Sequence, residues 1–274
     1  MTASASAKPP VNEMLLEGLG LHFAYAPRPP VVCGASLALR RGKLAALIGA
    51  NGSGKSTLIR LLMGLMEPER GTITFEGSPL ATTSRRWFAT RVAYVPQANP
   101  MTFPFTALEV VLTGRSPYTP RFRFENEHDR RKSRDALETV GALHLAGRPV
   151  TELSGGERQL VAVARALAQE PVCILLDEPS SSLDLKHRAR LIRILAGLRD
   201  ESGLTALLVT HDLQLLDPVF DYIFALRCGA VRAQGSPAEI LRDSVLSEVY
   251  DDADVRALRA EGHTFVWSGS GFTL

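Results

Sequence analysis

A glycine-rich loop is the part of this sequence best suited to chemistry. Residues 49–57 read GANGSGKST and match the pattern G-x-x-x-x-G-K-[ST]. Glycines at this spacing let successive backbone N–H groups point inward, forming an anion nest at the start of a helix. The lysine then shares its charge between β- and γ-phosphates, and the next hydroxyl ligates Mg²⁺. The predicted nucleotide-phosphate site comprises Gly49, Asn51, Gly52, Ser53, Gly54, Lys55, Ser56 and Thr57.

Two adjacent carboxylates follow a second apolar run. Ile174, Leu175 and Leu176 precede Asp177 and Glu178. An acid at the carboxyl end of a buried strand emerges beside a phosphate loop on the same sheet edge, where Asp177 can hold Mg²⁺. The second acid, Glu178, is then positioned to polarise an attacking water as general base. A solvated strand end is the alternative, which the upstream loop disfavours.

A third segment, residues 153–157, reads LSGGE. It precedes a predicted helix over residues 157–168, so its small residues offer a second set of backbone N–H donors at a helix N-terminus. Such donors predict a second anion site, formed by Ser154, Gly155 and Gly156.

The apolar pattern predicts how these segments are positioned. Continuous apolar runs at 44–48, 172–176 and 206–210 indicate strands of a parallel sheet, buried on both faces. Helical spacing follows the glycine loop over 56–65 and recurs over 184–198, where it predicts a crossover helix. The fold class is therefore α/β, with helices on both faces of a parallel sheet.

Smaller elements surround this core. Residues 14–25, 31–39 and 72–75 predict a small N-terminal antiparallel sheet, with prolines 27, 29 and 30 between the first two strands. Strand patterning fades between 99 and 151, where a helix over 127–145 predicts a helical insertion, bounded at about 98–155. Residues 1–13 form an expected disordered tail before a single domain over 14–274.

The end of the sequence is less informative. The C-terminal extension, about 235–274, is predicted to contain helical pieces at 237–242 and 245–250 and a strand at 263–267. The pattern assigns no role to it.

Composition excludes several classes of protein. Of 274 residues 45% are hydrophobic, the formal net charge is +2, and the basic residues are scattered, which disfavours nucleic acid as a partner. No apolar run has the length of about eighteen residues needed to cross a bilayer, and no secretory signal is expected at the start. Cys33, Cys173 and Cys228 lie among apolar residues, and we expect all three to be buried thiols.

Together these motifs resemble the ATP-binding subunit of ABC transporters, from about Met14 onward. The resemblance implies a P-loop NTPase core with ATP and Mg²⁺ as cofactors. It also implies that the LSGGE segment closes over the γ-phosphate of ATP bound to a second copy of the chain. Two nucleotides would then be enclosed between head-to-tail subunits.

Further residues are assigned by this resemblance. Gln97 in YVPQ resembles the glutamine that senses metal and water, and His211 in VTHD resembles the histidine that contacts the γ-phosphate, although a lone histidine is usually structural. Asp184 in SLD resembles the loop that meets the partner's phosphate site, with Ser180 where threonine is common. Tyr25 matches the aromatic residue that stacks on adenine, and its alternative is packing within the small sheet.

The branch of the family is a finer question. Residues 97–100 and 103–115 resemble the corresponding segments of importers of iron-siderophore complexes, haem and cobalamin, although some importers of oxyanions such as molybdate share this sequence pattern. That branch implies integral membrane permease subunits as partners, indirectly a substrate-binding protein, and a position on the cytoplasmic face of the cell membrane. A soluble ABC ATPase without a permease, such as one serving iron-sulfur assembly, and an exporter ATPase are the alternatives.

Overall fold

A six-stranded sheet forms the centre of the protein. The computed structural model describes residues 13–97, 102–118, 126–179, 184–260 and 263–269. The central strands are β3 Leu44–Ile48, β6 Val92–Val95, β7 Cys173–Asp177, β8 Thr205–Val209, β9 Tyr222–Arg227 and β10 Ala230–Gly235. They lie in the order β10-β9-β3-β8-β7-β6, and all neighbours are parallel except β9 and β10.

The three strands at the middle of this sheet are fully buried, which accounts for their continuous apolar sequences. Strands β3, β7 and β8 have five residues each, and every one of them is buried. Helices cover both faces, which requires apolar side chains in both directions along the strand. The predicted parallel sheet is confirmed, with β7 one residue later and β8 one residue earlier than expected.

A second sheet lies at the N-terminal end of the chain. It contains β1 Met14–Ala24, β2 Pro30–Arg40, β4 Arg70–Phe75 and β5 Ser78–Pro79. Its order is β2-β1-β4-β5 and all its pairs are antiparallel, as predicted. Glu76 and Gly77 form the tight turn between β4 and β5, both with positive φ. Pro30, expected in the connection, is instead the first residue of β2, where a missing N–H is tolerated.

The expectation of three buried thiols is wrong for two of them. Cys33 and Cys228 are exposed, and Cys173 is buried. Along β2 buried and exposed side chains alternate, which leaves Cys33 on the outer face. Cys228 lies in the turn between β9 and β10. Burial raises the pKa of the Cys173 thiol to about 12.

Eight α-helices are described: α1 Lys55–Leu62, α2 Arg85–Ala89, α3 Ala107–Leu112, α4 Glu127–Thr139, α5 Gly155–Ala168, α6 Leu185–Ser202, α7 Pro237–Ile240 and α8 Asp243–Tyr250. Three of them, α1, α4 and α7, end earlier than predicted, and left-handed glycines stop the first two. Gly64 follows α1 and Gly141 follows α4, each with φ of 64°. Leu65 is consequently 58% exposed, and Leu143 lies in a separate 3-10 turn.

Helices α3, α4 and α5 pack together between β6 and β7 in chain order. The guanidinium of Arg115 is buried among them. It donates to Asp129 at 3.0 Å and to the backbone carbonyl of Ala168 at 2.8 Å, and it also pairs with Glu170. A buried charge needs such partners because it has lost its water. This ion network therefore joins the start of α4 to the end of α5.

The C-terminal part of the chain contains a hairpin that the sequence revealed only in part. Strand β12 His263–Ser268 was predicted to within one residue, whereas its partner β11 Val255–Ala260 was missed. Both strands pair in antiparallel register. Charged residues interrupt β11, so its alternation is weak. Among the described residues, none of the helices is sufficiently long and apolar to pass through a membrane.

Candidate functional site

The glycine loop connects β3 to α1 and needs its glycines for steric reasons. Gly49 has φ of 149° and Gly54, the N-cap of α1, has φ of 103°. A Cβ on Gly49 would lie 2.2 Å from the carbonyl oxygen of Leu226, and one on Gly54 would lie 2.6 Å from that of Val31. Neither position accepts a side chain. The loop is therefore held tightly between β9 and β2, with the N-terminus of α1 open to an anion.

Lys55 lies at the centre of this loop. Its side chain is folded back, and its Nζ donates to the carbonyl oxygens of Gly49 at 2.9 Å and Ala50 at 3.0 Å. The residue is only 5% exposed. Burial lowers the pKa of the Lys55 ammonium, and the nearby carboxylates of Glu178 and Asp177 act in the opposite direction. A cation with so little water is well suited to an anionic ligand.

The other predicted loop residues differ in exposure. Ser53 is buried, and its hydroxyl has no hydrogen-bond partner in the part of the chain that the structure describes. Asn51 and Gly52 are exposed, and Thr57 is buried in α1. A buried hydroxyl without a partner is costly unless a ligand satisfies it. The loop thus has an unsatisfied polar group at the place where phosphate oxygens are expected.

Ser56 and Asp177 bring two oxygen donors together across the sheet edge. The hydroxyl of Ser56 donates to Oδ1 of Asp177 at 3.1 Å, and the hydroxyl of Tyr94 donates to Oδ2 at 3.4 Å. Burial raises the pKa of the Asp177 carboxyl, whereas the bond from Ser56 lowers it. A hydroxyl and a carboxylate suit Mg²⁺, which prefers oxygen and takes its other ligands from water and phosphates. No cluster of three metal-binding side chains occurs among the described residues.

Glu178 joins two other predicted residues. Its Oε2 accepts from Nε2 of Gln97 at 2.8 Å, and its Oε1 lies 2.8 Å from Nε2 of His211. These residues follow β6, β7 and β8, whose carboxyl ends share one edge of the sheet. The backbone of Glu178 has φ of 47°, and its N–H donates to the carbonyl of Val209 at 3.1 Å. This left-handed conformation is strained for glutamate and aims its carboxylate between the two partners.

Tyr25 lies at the side of the loop. Its hydroxyl is 3.4 Å from Oγ1 of Thr57, and it donates to Sδ of Met66 at 3.6 Å. Its ring packs edge-to-face on Phe23 with centroids 5.0 Å apart. The ring is half-buried. Contacts with the sheet and with α1 are therefore both present, and the residue remains partly exposed.

The LSGGE segment begins α5 but does not join this cluster. Ser154 is the N-cap, its Oγ accepts from the N–H of Glu157 at 3.2 Å, and its own N–H donates to the Glu157 carboxylate at 2.8 Å. Ser154 is exposed, and Gly155 and Gly156 are half-buried. In the described parts of the chain, no hydrogen bond or ion pair links these residues to the glycine loop or to Glu178.

Asp184 is likewise outside the cluster. It is the N-cap of α6 and accepts from the N–H of His187 at 2.8 Å, with Nδ1 of that ring 2.7 Å away. One turn later, Arg188 donates to Asp212 at 2.8 Å, so α6 contacts the residue after His211. Ser180 and the two residues before Asp184 lie outside the described residues.

Sequence reasoning missed several contributors to the site. Tyr94 stands three residues before Gln97 within the YVPQ segment, and its place in that motif was the available signal. The backbone carbonyls of Val31 and Leu226 would clash with any side chain at Gly54 or Gly49. Backbone atoms are common to all residue types, so the sequence could not reveal this role. The Arg188 contact with Asp212 joins residues 24 positions apart, and only the fold brings them together.

Comparison with known proteins identifies the family. A family model described as ABC transporter matches residues 32–181, which is more than half of the chain. The chain belongs to the ABC transporter family. A hemin import ATP-binding protein of Streptomyces coelicolor is 38% identical over 240 residues, covering 88% of this chain and 84% of that protein. An iron(3+)-hydroxamate import ATP-binding protein of Bacillus subtilis is 35% identical, covering 89% and 90%.

Solved structures agree with this ABC assignment. An inward-facing metal-chelate type ABC transporter matches with a TM-score of 0.79 and 28% identity, covering 94% of this chain and 98% of the other. A dimeric bacterial ABC transporter cassette matches with a TM-score of 0.72 and 25% identity, covering 81% and 99%. The protein is therefore an ATP-binding protein and an ATPase with the α/β fold of this family.

Proposed function

We propose that this ABC ATPase energises the import of a metal chelate or related cofactor through partner permease subunits, by ATP-driven closure of a dimer. The observation that carries the proposal is the arrangement around Glu178. Its carboxylate contacts Gln97 and His211, while Lys55 and the Ser56–Asp177 pair lie at the same edge of the sheet. These groups supply the cation, the metal ligands and the base that hydrolysis of a phosphoanhydride requires.

Binding of the triphosphate is assigned to the loop. Its N–H groups, with those at the start of α1, donate hydrogen bonds to the phosphate oxygens, and Lys55 exchanges its two backbone carbonyl partners for phosphate oxygens. Ser56 and Asp177 would hold Mg²⁺. Gln97, which is hydrogen-bonded to the neighbouring Glu178, would lie close to the metal. Bound there, Mg²⁺ neutralises charge on the β- and γ-phosphates. The flat face of Tyr25 stacks on the adenine ring.

Glu178 accepts the proton of the attacking water. A carboxylate has about four lone-pair positions, so hydrogen bonds from Gln97 and His211 leave each oxygen a position for water. The two neighbours fix the direction of the carboxylate, and His211 adds a contact to the γ-phosphate. Because the base is oriented before the water arrives, little reorganisation is needed at the reaction step.

A second copy of the chain completes the site in this proposal. Ser154, Gly155 and Gly156 present a helix N-terminus that makes no hydrogen bond with their own glycine loop in the described residues, yet their chemistry suits a γ-phosphate. Asp184, the N-cap of α6, likewise lies outside the cluster around Glu178. A head-to-tail dimer brings both segments to the facing loop, and hydrolysis then releases the closed state.

The helical part between β6 and β7 is the proposed contact with the permease. We interpret residues 98–155 as an insertion and propose that its exposed surface receives a helix of the membrane subunit. Phe103 and Phe105 are strongly exposed and stand a few residues after Gln97. Exposed aromatic rings of this kind typify a protein-binding surface. Residues 98–101, which belong to the same stretch, lie outside the described residues.

The proposed cargo follows the relatives. The proteins named for hemin, iron(3+)-hydroxamate and cobalamin import match 78–89% of this chain. We infer the same broad class here, an iron-siderophore complex, haem or cobalamin. A substrate-binding protein would deliver the cargo to the permease, and this ATPase would lie on the cytoplasmic face of the membrane.

Isolation with membrane partners tests this proposal. The chain is produced with its native membrane fraction, purified by an affinity tag, and the integral subunit is identified. Reconstituted vesicles are then assayed for ATP-driven uptake of an iron-siderophore complex, haem, cobalamin and molybdate. Uptake of one of the first three supports the proposal. Molybdate uptake, export, or an ATPase purified without any integral subunit would each replace it with one of the alternatives.

A further inference from the structure

The C-terminal segment, defined here as residues 236–260 and 263–269, is packed on the ATPase core without a role in the proposed chemistry. It contains α7, α8 and the hairpin β11–β12. Ile240, Leu246, Val249 and Val255 are buried and belong to the main hydrophobic cluster together with residues of β3, β7 and β8. The segment is therefore part of the core rather than a separate appendage.

Asp217 is the point at which the hairpin joins the loop that contains His211. Its side chain is 4% exposed and accepts from Oγ1 of Thr264 at 2.8 Å. Nε of Arg259 lies 3.2 Å from the same carboxylate. Arg259 is on β11 and Thr264 is on β12, so both strands hold one buried charge. A buried carboxylate depends strongly on such partners, because it has given up its hydration.

The chain between His211 and Asp217 is short. It forms one 3-10 turn, Leu213–Leu215, which packs against β12. A position fixed at Asp217 therefore limits where the imidazole of His211 can lie. Thr264 itself is 2% exposed, so water does not replace its hydroxyl at Asp217.

A cavity that opens to solvent lies beside the histidine and the hairpin. Its volume is about 440 Å³, and its lining includes His211, Asp212, Tyr250, Val266 and Trp267. Protein interiors are normally close-packed, and packing fixes side chains there. The His211 side chain is 38% exposed and borders this open cavity, so packing holds it less firmly and the bonds at Asp217 carry more of the positioning.

The segment also approaches the phosphate loop. Tyr250 ends α8, and its hydroxyl is buried against the backbone of Gly49 without a hydrogen bond of standard geometry in the described residues. The next residue, Asp251, pairs with Arg227 at 2.5 Å. Arg227 follows Leu226, whose carbonyl oxygen packs closely against Gly49. The same segment thus contacts the surroundings of both loops.

We propose that the C-terminal segment positions His211 through the bonds of its hairpin to Asp217, with Thr264 as the positioning residue. The inference rests on the proposed catalytic contact between His211 and Glu178. Loss of the Thr264 hydroxyl lets the histidine loop shift toward the cavity, which weakens the orientation of the Glu178 carboxylate. ATP binding, which depends on the glycine loop, is left almost unchanged.

The test uses Thr264→Val and Thr264→Ser in the full chain within its transporter complex. Thr264→Val removes the hydroxyl and keeps the shape; kcat for ATP hydrolysis should fall about five- to tenfold with KM within twofold, since a shift of a positioning contact acts on the reaction step. Thr264→Ser restores the hydroxyl and should recover most of kcat. Equal kcat for Thr264→Val and wild type would overturn the proposal, as would failure of serine to rescue.

Thr205→Val is the matched control. Thr205 is also fully buried, and its hydroxyl accepts a bond of the same length, 2.8 Å, from the N–H of Gly42 at the opposite edge of the sheet. Both variants lose one buried hydrogen bond, so both should lower thermal stability. Only Thr264→Val should lower kcat. Equal losses of kcat in the two variants would show a purely structural effect and contradict the positioning role.

A double-mutant cycle separates this proposal from the proposed function. In a His211→Ala background, Thr264→Val should have no further effect on kcat, because its effect passes through the absent imidazole. Additive losses would contradict the positioning route while leaving the role of His211 intact. If His211→Ala alone hydrolyses ATP at the wild-type rate, the assigned role of the histidine fails instead.

Discussion

Nε2 of His211 and Oε1 of Glu178 lie 2.8 Å apart, although the two residues are separated by 33 positions. Glu178 directly follows β7 and His211 lies two residues after the adjacent strand β8, so their contact follows from the parallel register of the sheet. Gln97 reaches the other oxygen of the same carboxylate from β6. Three neighbouring strands thus converge on one acid, which is the group most directly tested by substitution.

Replacing Glu178 with glutamine should stop hydrolysis and spare binding. The amide cannot accept the proton of water, and a lost general base lowers kcat by about 100-fold or more. An ATP-bound dimer should accumulate, detectable by size-exclusion chromatography, while phosphate release measures turnover. Glu138→Gln, the same chemical change on the exposed side of α4, is the control and should hydrolyse normally. Wild-type turnover in Glu178→Gln would remove this residue from the base role.

Replacing Ser154 with alanine should lower hydrolysis beyond what its effect on the helix explains. Ser154 is an N-cap, so the variant loses about 1 kcal/mol of stability. Asn126→Ala removes the N-cap of α4, which has the same reciprocal bonding with its third residue, and matches that loss. Calorimetry should show similar destabilisation for both, and only Ser154→Ala should lose ATPase activity. Equal activities would deny the segment a role in the shared site.

Mixing two inactive variants tests sharing directly. Ser154→Ala and Lys55→Ala each damage one half of a composite site, so a mixed dimer retains one intact site. Equal mixing should restore up to about a quarter of wild-type hydrolysis, because half of the dimers are mixed and each has one of two sites. Activity no greater than that of the two separate samples would indicate that each site belongs to a single copy.

Substitutions at Tyr25 distinguish stacking of its ring on adenine from packing within the small sheet. Stacking of a base on an aromatic ring is worth about 1–3 kcal/mol, so Tyr25→Ala should weaken ATP binding by about five- to 150-fold. Tyr25→Phe keeps the ring and should bind ATP nearly as well, despite losing the hydroxyl contacts with Thr57 and Met66. Titration calorimetry measures the affinity. A loss of melting temperature without a loss of affinity in Tyr25→Ala would favour the packing alternative.

Stability should fall in acid partly through Glu157. Its bonds from the backbone N–H and hydroxyl of Ser154 lower the pKa of the carboxyl below its ordinary value of 4.5. The unfolded chain therefore binds the proton more readily, so this contribution is complete above about pH 4.5 and is lost as pH falls through the folded pKa. Denaturant titrations at several pH values should show a shallower acid decline for Glu157→Gln than for the wild type. Identical slopes would contradict this assignment.

Much of the core was predictable because its physical requirements are written in continuous patterns. Five buried apolar residues in β3 admit only a central strand, and the glycine pattern after them admits only a loop of unusual backbone. Helix ends were less accurate, since Leu65 and Leu143 continue the apolar spacing beyond glycines that stop the helices. Cys33 shows that an apolar neighbourhood in sequence does not decide which face of a strand is buried.

The site was predictable in its members and less so in its contacts. Motifs named Glu178, His211 and Gln97, whereas their mutual distances depend on strand register. Tyr94 and Arg188 support the cluster through contacts between elements remote in sequence. Of the hairpin that holds Asp217 only β12 was predicted, because charged residues interrupt β11, and the bond from Thr264 to Asp217 has no signal in the sequence.

The buried guanidinium of Arg115 has a mechanical consequence. By binding Asp129 near the start of α4 and the last carbonyl of α5, it ties both helices to the turn after α3. Bending between them would separate a buried charge from its partners, which favours movement of the three helices together. In the proposed transporter, this coupling would connect a permease contact at Phe103 and Phe105 to Ser154 at the other end of α5.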